Sequence, residues 1–271
     1  MGPIGVFDSG FGGLTILKAF KENLPQYDYI YLGDNARTPY GNRSFETVYR
    51  YTLESVEYLF EQGCELIILA CNTASAKALR TIQQQVLPKK YPNKKVLGVL
   101  RPSTELVGDF SKTRHIGILA TEGTVKSESY LIEINKFFPD IIVQQLACPI
   151  WVPLIENNLH STEGGKWFLE RDLKMLLEKD EKIDVILLAC THYPIVLPLL
   201  QSMVKNVLLL PQSQIVADSL MQYLKKHQEV ENLCTKNSTI IFLTSDTAEN
   251  FETKGSFFYG EKIKAKQVKL G

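Results

Sequence analysis

No charge of one sign dominates the 271-residue chain, in which lysine plus arginine and aspartate plus glutamate number 30 each. Without a net field, nothing draws the whole molecule onto a nucleic-acid backbone or an anionic membrane. Long apolar runs are missing as well, so no segment reaches the roughly 20 residues that a membrane-spanning helix needs. The opening stretch Met1-Gly2-Pro3-Ile4-Gly5-Val6-Phe7-Asp8 has neither the basic start nor the extended apolar middle of a secretory leader, and a cytoplasmic protein is expected. Cysteine is sparse. Five residues, an odd number without CxxC spacing, suit a reducing compartment and argue against a disulfide framework. The one basic cluster, Lys262, Lys264, Lys266 and Lys269, alternates in the manner of the solvent face of a last strand.

The chain contains one statement made twice. Glu65-Leu66-Ile67-Ile68-Leu69-Ala70-Cys71-Asn72-Thr73 and Asp184-Val185-Ile186-Leu187-Leu188-Ala189-Cys190-Thr191-His192 each open on an acid, run through aliphatic residues to Ala-Cys, and turn polar. A short uncharged aliphatic run is the pattern of a parallel strand buried on both faces, and the polar residues after it suit a helix start. Each thiol is therefore placed at a strand's C-terminal edge, where ligands bind in open α/β sheets. Free helix amides at that edge are expected to favour thiolate and lower the cysteine pKa.

The other elements follow the same alternation. Pro3 to Phe7 reads as a first strand, with a turn at Asp8-Ser9-Gly10-Phe11-Gly12-Gly13 and a helix from Leu14. Tyr27 to Leu32 is a second strand, and the polar, turn-rich Gly33 to Arg43 is a long loop. Ser44 caps a helix over 45–62, and a helix from Thr73 to about Val86 is expected to end before Pro88. The pattern restarts with a strand at Val96 to Leu100. His115 to Ala120 with Thr121-Glu122-Gly123-Thr124 echoes the first strand and its turn, which points to a duplicated α/β unit. Cys148 to Glu156 reads as an apolar turn ending in a lone acid, and Glu163 to about Glu178 as a helix. Strands near Val207 to Leu210 and Ile240 to Leu243 could complete either unit.

Gly10-Phe11-Gly12-Gly13 invites a dinucleotide reading, but Thr15 stands where a third small residue belongs and Asp8 would face the pyrophosphate with the wrong sign. An aspartate for a cation beside Ser9 and helix amides for an anion suits an amino acid. Two equivalent cysteines leave three chemistries open: a metal site built from Cys71, Cys190 and His192, a nucleophile with a histidine base, or a pair of acid–base thiols. Cys64, Cys148 and Cys234 read as small buried hydrophobes.

These residues resemble the cofactor-independent glutamate racemases. The resemblance is carried by Gly5-Val6-Phe7-Asp8-Ser9-Gly10-Phe11-Gly12-Gly13, Gly33-Asp34-Asn35-Ala36-Arg37-Thr38-Pro39-Tyr40-Gly41, Ala70-Cys71-Asn72-Thr73-Ala74, Val152-Pro153-Leu154-Ile155-Glu156 and Ala189-Cys190-Thr191-His192-Tyr193-Pro194, in the family's order. It implies two pseudo-symmetric, mostly parallel-sheet, Rossmann-like or flavodoxin-like domains with the active site between them. The chain end returns to the first, giving 1–93 plus 211–271 and 94–210. It further implies no cofactor and no metal, a homodimer, and D-glutamate made for peptidoglycan. By position, Cys71 and Cys190 match the acid–base cysteines, and Asp8, Ser9, Tyr40, Gly41, Asn72, Thr73, Thr191 and His192 match the substrate site. Glu156 and His192 match side chains that assist the thiols, and Asp8 is expected to pair with the substrate ammonium and help steer a proton. Arg101 departs from the pattern, at a position often acidic in relatives, with a domain or subunit contact as the expected consequence. Aspartate racemisation is the rival within the superfamily. A zinc hydrolase and an amino-acid binding protein are rivals from other classes.

Overall fold

Uncharged aliphatic runs form parallel strands here because helices cover both faces and leave no side of the sheet to solvent. The computed structural model describes residues 1–271 and contains ten strands: β1 (Ile4–Asp8), β2 (Tyr29–Gly33), β3 (Leu66–Leu69), β4 (Lys95–Gly98), β5 (His115–Ala120), β6 (Ile142–Ala147), β7 (Val185–Ala189), β8 (Leu208–Pro211), β9 (Ile240–Thr244) and β10 (Ala265–Gln267). They build a six-stranded sheet, order β10-β9-β2-β1-β3-β4, and a four-stranded sheet, order β6-β5-β7-β8. All the pairings are parallel. The run β2-β1-β3-β4 repeats as β6-β5-β7-β8, so the echo between the halves is topological as well as sequential. β9 and β10 extend only the first sheet.

Successive side chains of a strand face opposite sides. Ile4, Val6, Tyr29, Tyr31, Leu66 and Ile68 accordingly enter a large core that also holds the strands of the second sheet, whereas Phe7, Ile30, Leu32, Ile67 and Leu69 enter a smaller one. Each fully buried aliphatic side chain of this kind contributes roughly 1.5–3 kcal/mol.

The helices are α1 (Leu14–Asn23), α2 (Phe45–Glu61), α3 (Asn72–Lys77), α4 (Leu79–Thr81), α5 (Leu87–Lys90), α6 (Leu100–Phe110), α7 (Glu122–Lys126), α8 (Ser129–Phe137), α9 (Trp151–Glu156), α10 (Glu163–Leu177), α11 (Leu197–Met203), α12 (Ser213–Lys226), α13 (Gln228–Glu231) and α14 (Ala248–Tyr259). Ser44 caps α2 by accepting the Thr47 N–H at 3.1 Å, and Val48, Val56 and Leu59 on one face of that helix enter the smaller core. No helix is long and apolar enough to cross a membrane.

Three readings change. The helix after Cys71 does not stop before Pro88, because a π turn at Ile82–Val86 shifts the backbone pairing and Pro88 enters the first turn of α5, where its missing N–H costs nothing. Cys148 to Glu156 is not a simple turn. Pro153 falls in the first turn of α9, where it is tolerated, and the fully buried Trp151 anchors that helix through Nε1 to Asp172 at 2.8 Å. β4, placed by the sequence in the second unit, pairs with β3 from Leu66↔Lys95 to Leu69↔Gly98 and closes the first sheet. Its turn-rich approach at Lys89 to Asn93 joins helix to strand within one sheet's layer. Arg101 pairs with Glu105 at 2.6 Å, one turn along the exposed side of α6.

Candidate active site

The two thiols sit where equivalent strands end. Beyond β3, Cys71 is the cap of α3, its Sγ accepting the Ala74 N–H at 3.5 Å. Beyond β7, Cys190 opens a turn that leads through His192 into a short 3₁₀ segment, Tyr193–Val196. Both line a single cavity of about 130 Å³ together with Ser9, Tyr40, Gly41, Asn72, Thr73, Thr191 and His192. That is below the few hundred Å³ typical of pockets for drug-sized ligands and suits a molecule the size of an amino acid. The lining contains no lysine or arginine.

Asp8 and Glu156 stand behind this wall. Asp8 is buried, with Oδ2 accepting the Gly10 N–H at 2.9 Å and Oδ1 accepting the Thr191 hydroxyl at 3.3 Å. Burial raises its pKa, opposed by the nearby His192 charge and by those hydrogen bonds. Glu156, at the end of α9, meets His192 Nε2 with Oε1 at 2.8 Å. The opposite ring nitrogen, Nδ1, is 3.9 Å from Cys190 Sγ. Burial alone would pull the imidazole pKa down, but Cys190 and Glu156 outweigh it and push it up to about 10. His192 is therefore a cation at neutral pH, held between Cys190 and a carboxylate.

Cys71 has the opposite environment. Burial and then the negative charge of Asp8 push its thiol up to about 12, against the lowering effect of Ser9 and the Ala74 N–H. The expected lowering by the helix start is not met here, because one distant amide does not offset full burial beside a carboxylate. Cys71 is a neutral thiol with Ser9 Oγ at 3.4 Å. Two cysteines lining one cavity, one as thiolate and the other as thiol, can together take a proton from, and give one to, a molecule between them.

The remaining expected residues divide by what their polar ends touch. Tyr40 reaches the cavity, but its hydroxyl donates to Asp34, which also receives Arg37 Nε and Ser245 Oγ at 2.7 Å each. Its side chain shapes the Gly33 to Arg43 loop. Gly41 accepts the Gly123 N–H at 2.7 Å through its carbonyl. Asn72 is held by Gln212 and Tyr130, and Thr73 Oγ1 lies 2.9 Å from Thr121 Oγ1. The sequence reading missed Thr38, Thr121, Cys148 and Val152, which also line the cavity. A signal existed for Thr121, since it follows β5 as Ser9 follows β1. No three His, Cys, Asp or Glu side chains are grouped as metal ligands would be, so the zinc reading has no ligand set.

Comparison with known proteins agrees over nearly the whole chain. The family model for Asp/Glu/Hydantoin racemase matches residues 14–218. A glutamate racemase from a Sulfurihydrogenibium species is 37% identical, covering 99% of this chain and 97% of its own. The crystal structure of a glutamate racemase from Francisella tularensis in complex with D-glutamate superposes with a TM-score of 0.86 at 32% identity, covering 98% of this chain and 97% of its own. A glutamate racemase isoform from Bacillus anthracis gives a TM-score of 0.89 at 29% identity over 98% and 97% of the two chains.

Proposed function

The chain belongs to the Asp/Glu/Hydantoin racemase family, and from that membership we propose that it interconverts L- and D-glutamate by moving a proton between the two faces of the α-carbon. The observation that carries the reading is the pair of thiols, Cys71 and Cys190, at equivalent strand ends and on one small cavity. In each turnover the thiolate of one cysteine removes the α-proton and the electron pair spreads into the adjoining carboxylate. The thiol of the other cysteine then delivers its proton to the opposite face. One C–H bond breaks, one forms, and the cysteines exchange protonation state until solvent resets them.

Their neighbours divide the work. His192 Nδ1 stands 3.9 Å from Cys190 Sγ, and the family resemblance assigns Cys190 as the base toward L-glutamate and Cys71 as the acid. Toward D-glutamate the roles reverse, and Ser9 with the Ala74 N–H supplies the donors that stabilise a Cys71 thiolate. With no lysine or arginine in the wall, the substrate carboxylates are held mainly by neutral donors, among them the Thr73 and Thr121 hydroxyls. Asp8, behind the wall, bears on the substrate through Thr191.

The family resemblance further supports a cytoplasmic homodimer supplying D-glutamate for peptidoglycan. Sheet membership supports a reading of two units near 1–98 with 212–271 and 99–211, with the cavity between them.

The test is to give purified protein, without added pyridoxal phosphate, metal or nucleotide, L-glutamate and separately L-aspartate, following optical rotation. Rotation of L-glutamate should decay to zero, and that of L-aspartate far more slowly. A persistent L-glutamate signal, preference for aspartate, or inactivation by a chelator would each contradict the proposal.

A further inference from the structure

Asn72 follows Cys71 directly and is the first residue of α3. A primary amide can turn over by 180° unless its neighbours specify which end accepts, and here both ends are specified. Asn72 Nδ2 donates to Gln212 Oε1 at 2.8 Å, Gln212 Nε2 donates to the Tyr130 oxygen at 2.7 Å, and the Tyr130 hydroxyl donates to Asn72 Oδ1 at 2.6 Å. The three bonds form a closed ring running in one direction, so each polarises the next and neither amide can flip without breaking two of them. Gln212 Nε2 also donates to Ser103 Oγ at 2.6 Å. All four residues are at most 3% exposed.

The ring crosses the molecule. Asn72 lies beyond a strand of the six-stranded sheet, while Tyr130 is on α8, Ser103 on α6, and Gln212 directly after β8 of the four-stranded sheet. The other thiol turn is tied in the reverse sense. Thr191, next to Cys190, donates to Asp8 at 3.3 Å and accepts Thr15 Oγ1 through its carbonyl at 3.0 Å.

We infer that Tyr130 and Gln212, backed by Ser103, are positioning residues that set the Cys71 turn for its half of the proton transfer, an inference that rests on the two-thiol reading above. They touch no reacting atom. They fix Asn72, and through it the start of α3 on which Cys71 is placed. Proton transfer is sensitive to such placement, with displacements of about 1 Å costing up to 10²-fold.

Tyr130→Phe, which deletes one hydroxyl, and Gln212→Met, which keeps the length but opens the ring, test this. Each should lower kcat/KM about tenfold in both directions, as the equal energy of two enantiomers requires. The isotope effects should separate. With glutamate deuterated at the α-carbon, the effect on kcat/KM should rise from the D side, where Cys71 breaks the bond, and fall from the L side, where Cys190 does. General loosening would move both the same way, and that result, or no change in either, would overturn the inference. A second readout is independent of turnover: iodoacetamide should label Cys71 several-fold faster in the variants, relative to Cys190, by peptide mass spectrometry. An unchanged labelling ratio in both variants would overturn the clamp. A wild-type chain that racemises neither enantiomer would instead overturn the function while the labelling still judges the clamp.

Discussion

His192 carries its charge because two partners outweigh the cost of burying it, and this sets the pH behaviour. The imidazolium persists as pH rises until about 10 and is lost above that. Glu156→Gln removes the partner on Nε2, so the imidazole should lose its proton at lower pH. The alkaline limb of kcat/KM for L-glutamate should then move down by roughly one pH unit or more. An unmoved limb in a pH–rate profile would take His192 out of the chemistry. Asp8 poses a different question, since its carboxylate is turned toward Gly10 and Thr191 behind the cavity wall. Asp8→Asn keeps the shape and removes the charge. We expect a normal fold by circular dichroism and a loss in kcat/KM of roughly 10²-fold or more if it takes part in proton transfer. Activity within a few-fold of wild type would leave Asp8 as a turn-holding residue.

At the scale of elements, the site is assembled from strand ends and the turns that follow them. The turn after β1 approaches the second thiol turn so closely that a Cβ on Gly12 would collide with Thr191 Oγ1 and His192 Nδ1. Gly12→Ala should therefore displace the imidazole and cost at least tenfold in kcat/KM with the melting temperature little changed, which steady-state rates and calorimetry will show. Far from the site, Asp28 at the start of β2 joins the chain end to the first sheet. It accepts Asn237 Nδ2 at 2.7 Å, the Thr239 N–H at 2.9 Å and the Thr239 hydroxyl at 2.7 Å, beside the start of β9. Burial alone would raise its pKa, but these donors hold it well below the ordinary value near 3.8. A depressed carboxyl stabilises the fold above its unfolded pKa and loses that contribution as pH falls. Asp28→Ala should cost about 2 kcal/mol at pH 7 in urea unfolding, with the gap to wild type narrowing below about pH 4. A gap that does not change with pH would contradict the carboxylate's role.

The elements were legible where one local rule decided them. β3 and β7 are uncharged aliphatic runs ending in a polar turn, the pattern of a parallel strand buried on both faces. Pro88 misled because a proline in the first turn of a helix looks, in sequence, like a proline that ends one. β4 was assigned to the wrong sheet because nothing in Lys95 to Gly98 records its neighbour; that is decided by β3 pairing across space. The same limit applies to the site. Cys71 and Cys190 announced themselves by repetition, whereas the commitment of the Tyr40 hydroxyl to Asp34, the withdrawal of Asp8 behind Thr191, and the Asn72–Gln212–Tyr130 ring depend on which distant segments meet.

Over the whole molecule, a four-strand unit occurs twice, and each copy brings one thiol to one cavity. Opposed turns predict opposed faces: neither cysteine can do the other's work, so Cys71→Ser and Cys190→Ser should each suppress racemisation in both directions, serine being far too weak an acid and base. The most direct measurement follows L-glutamate in deuterated water at early times, by mass spectrometry after separating the enantiomers. The D-glutamate formed should carry deuterium at the α-carbon while recovered L-glutamate stays protiated, because the new proton comes from the second, solvent-exchanged thiol. Deuterium entering recovered L-glutamate as fast as it enters the product would mean that a single base serves both faces, and would contradict the two-thiol account.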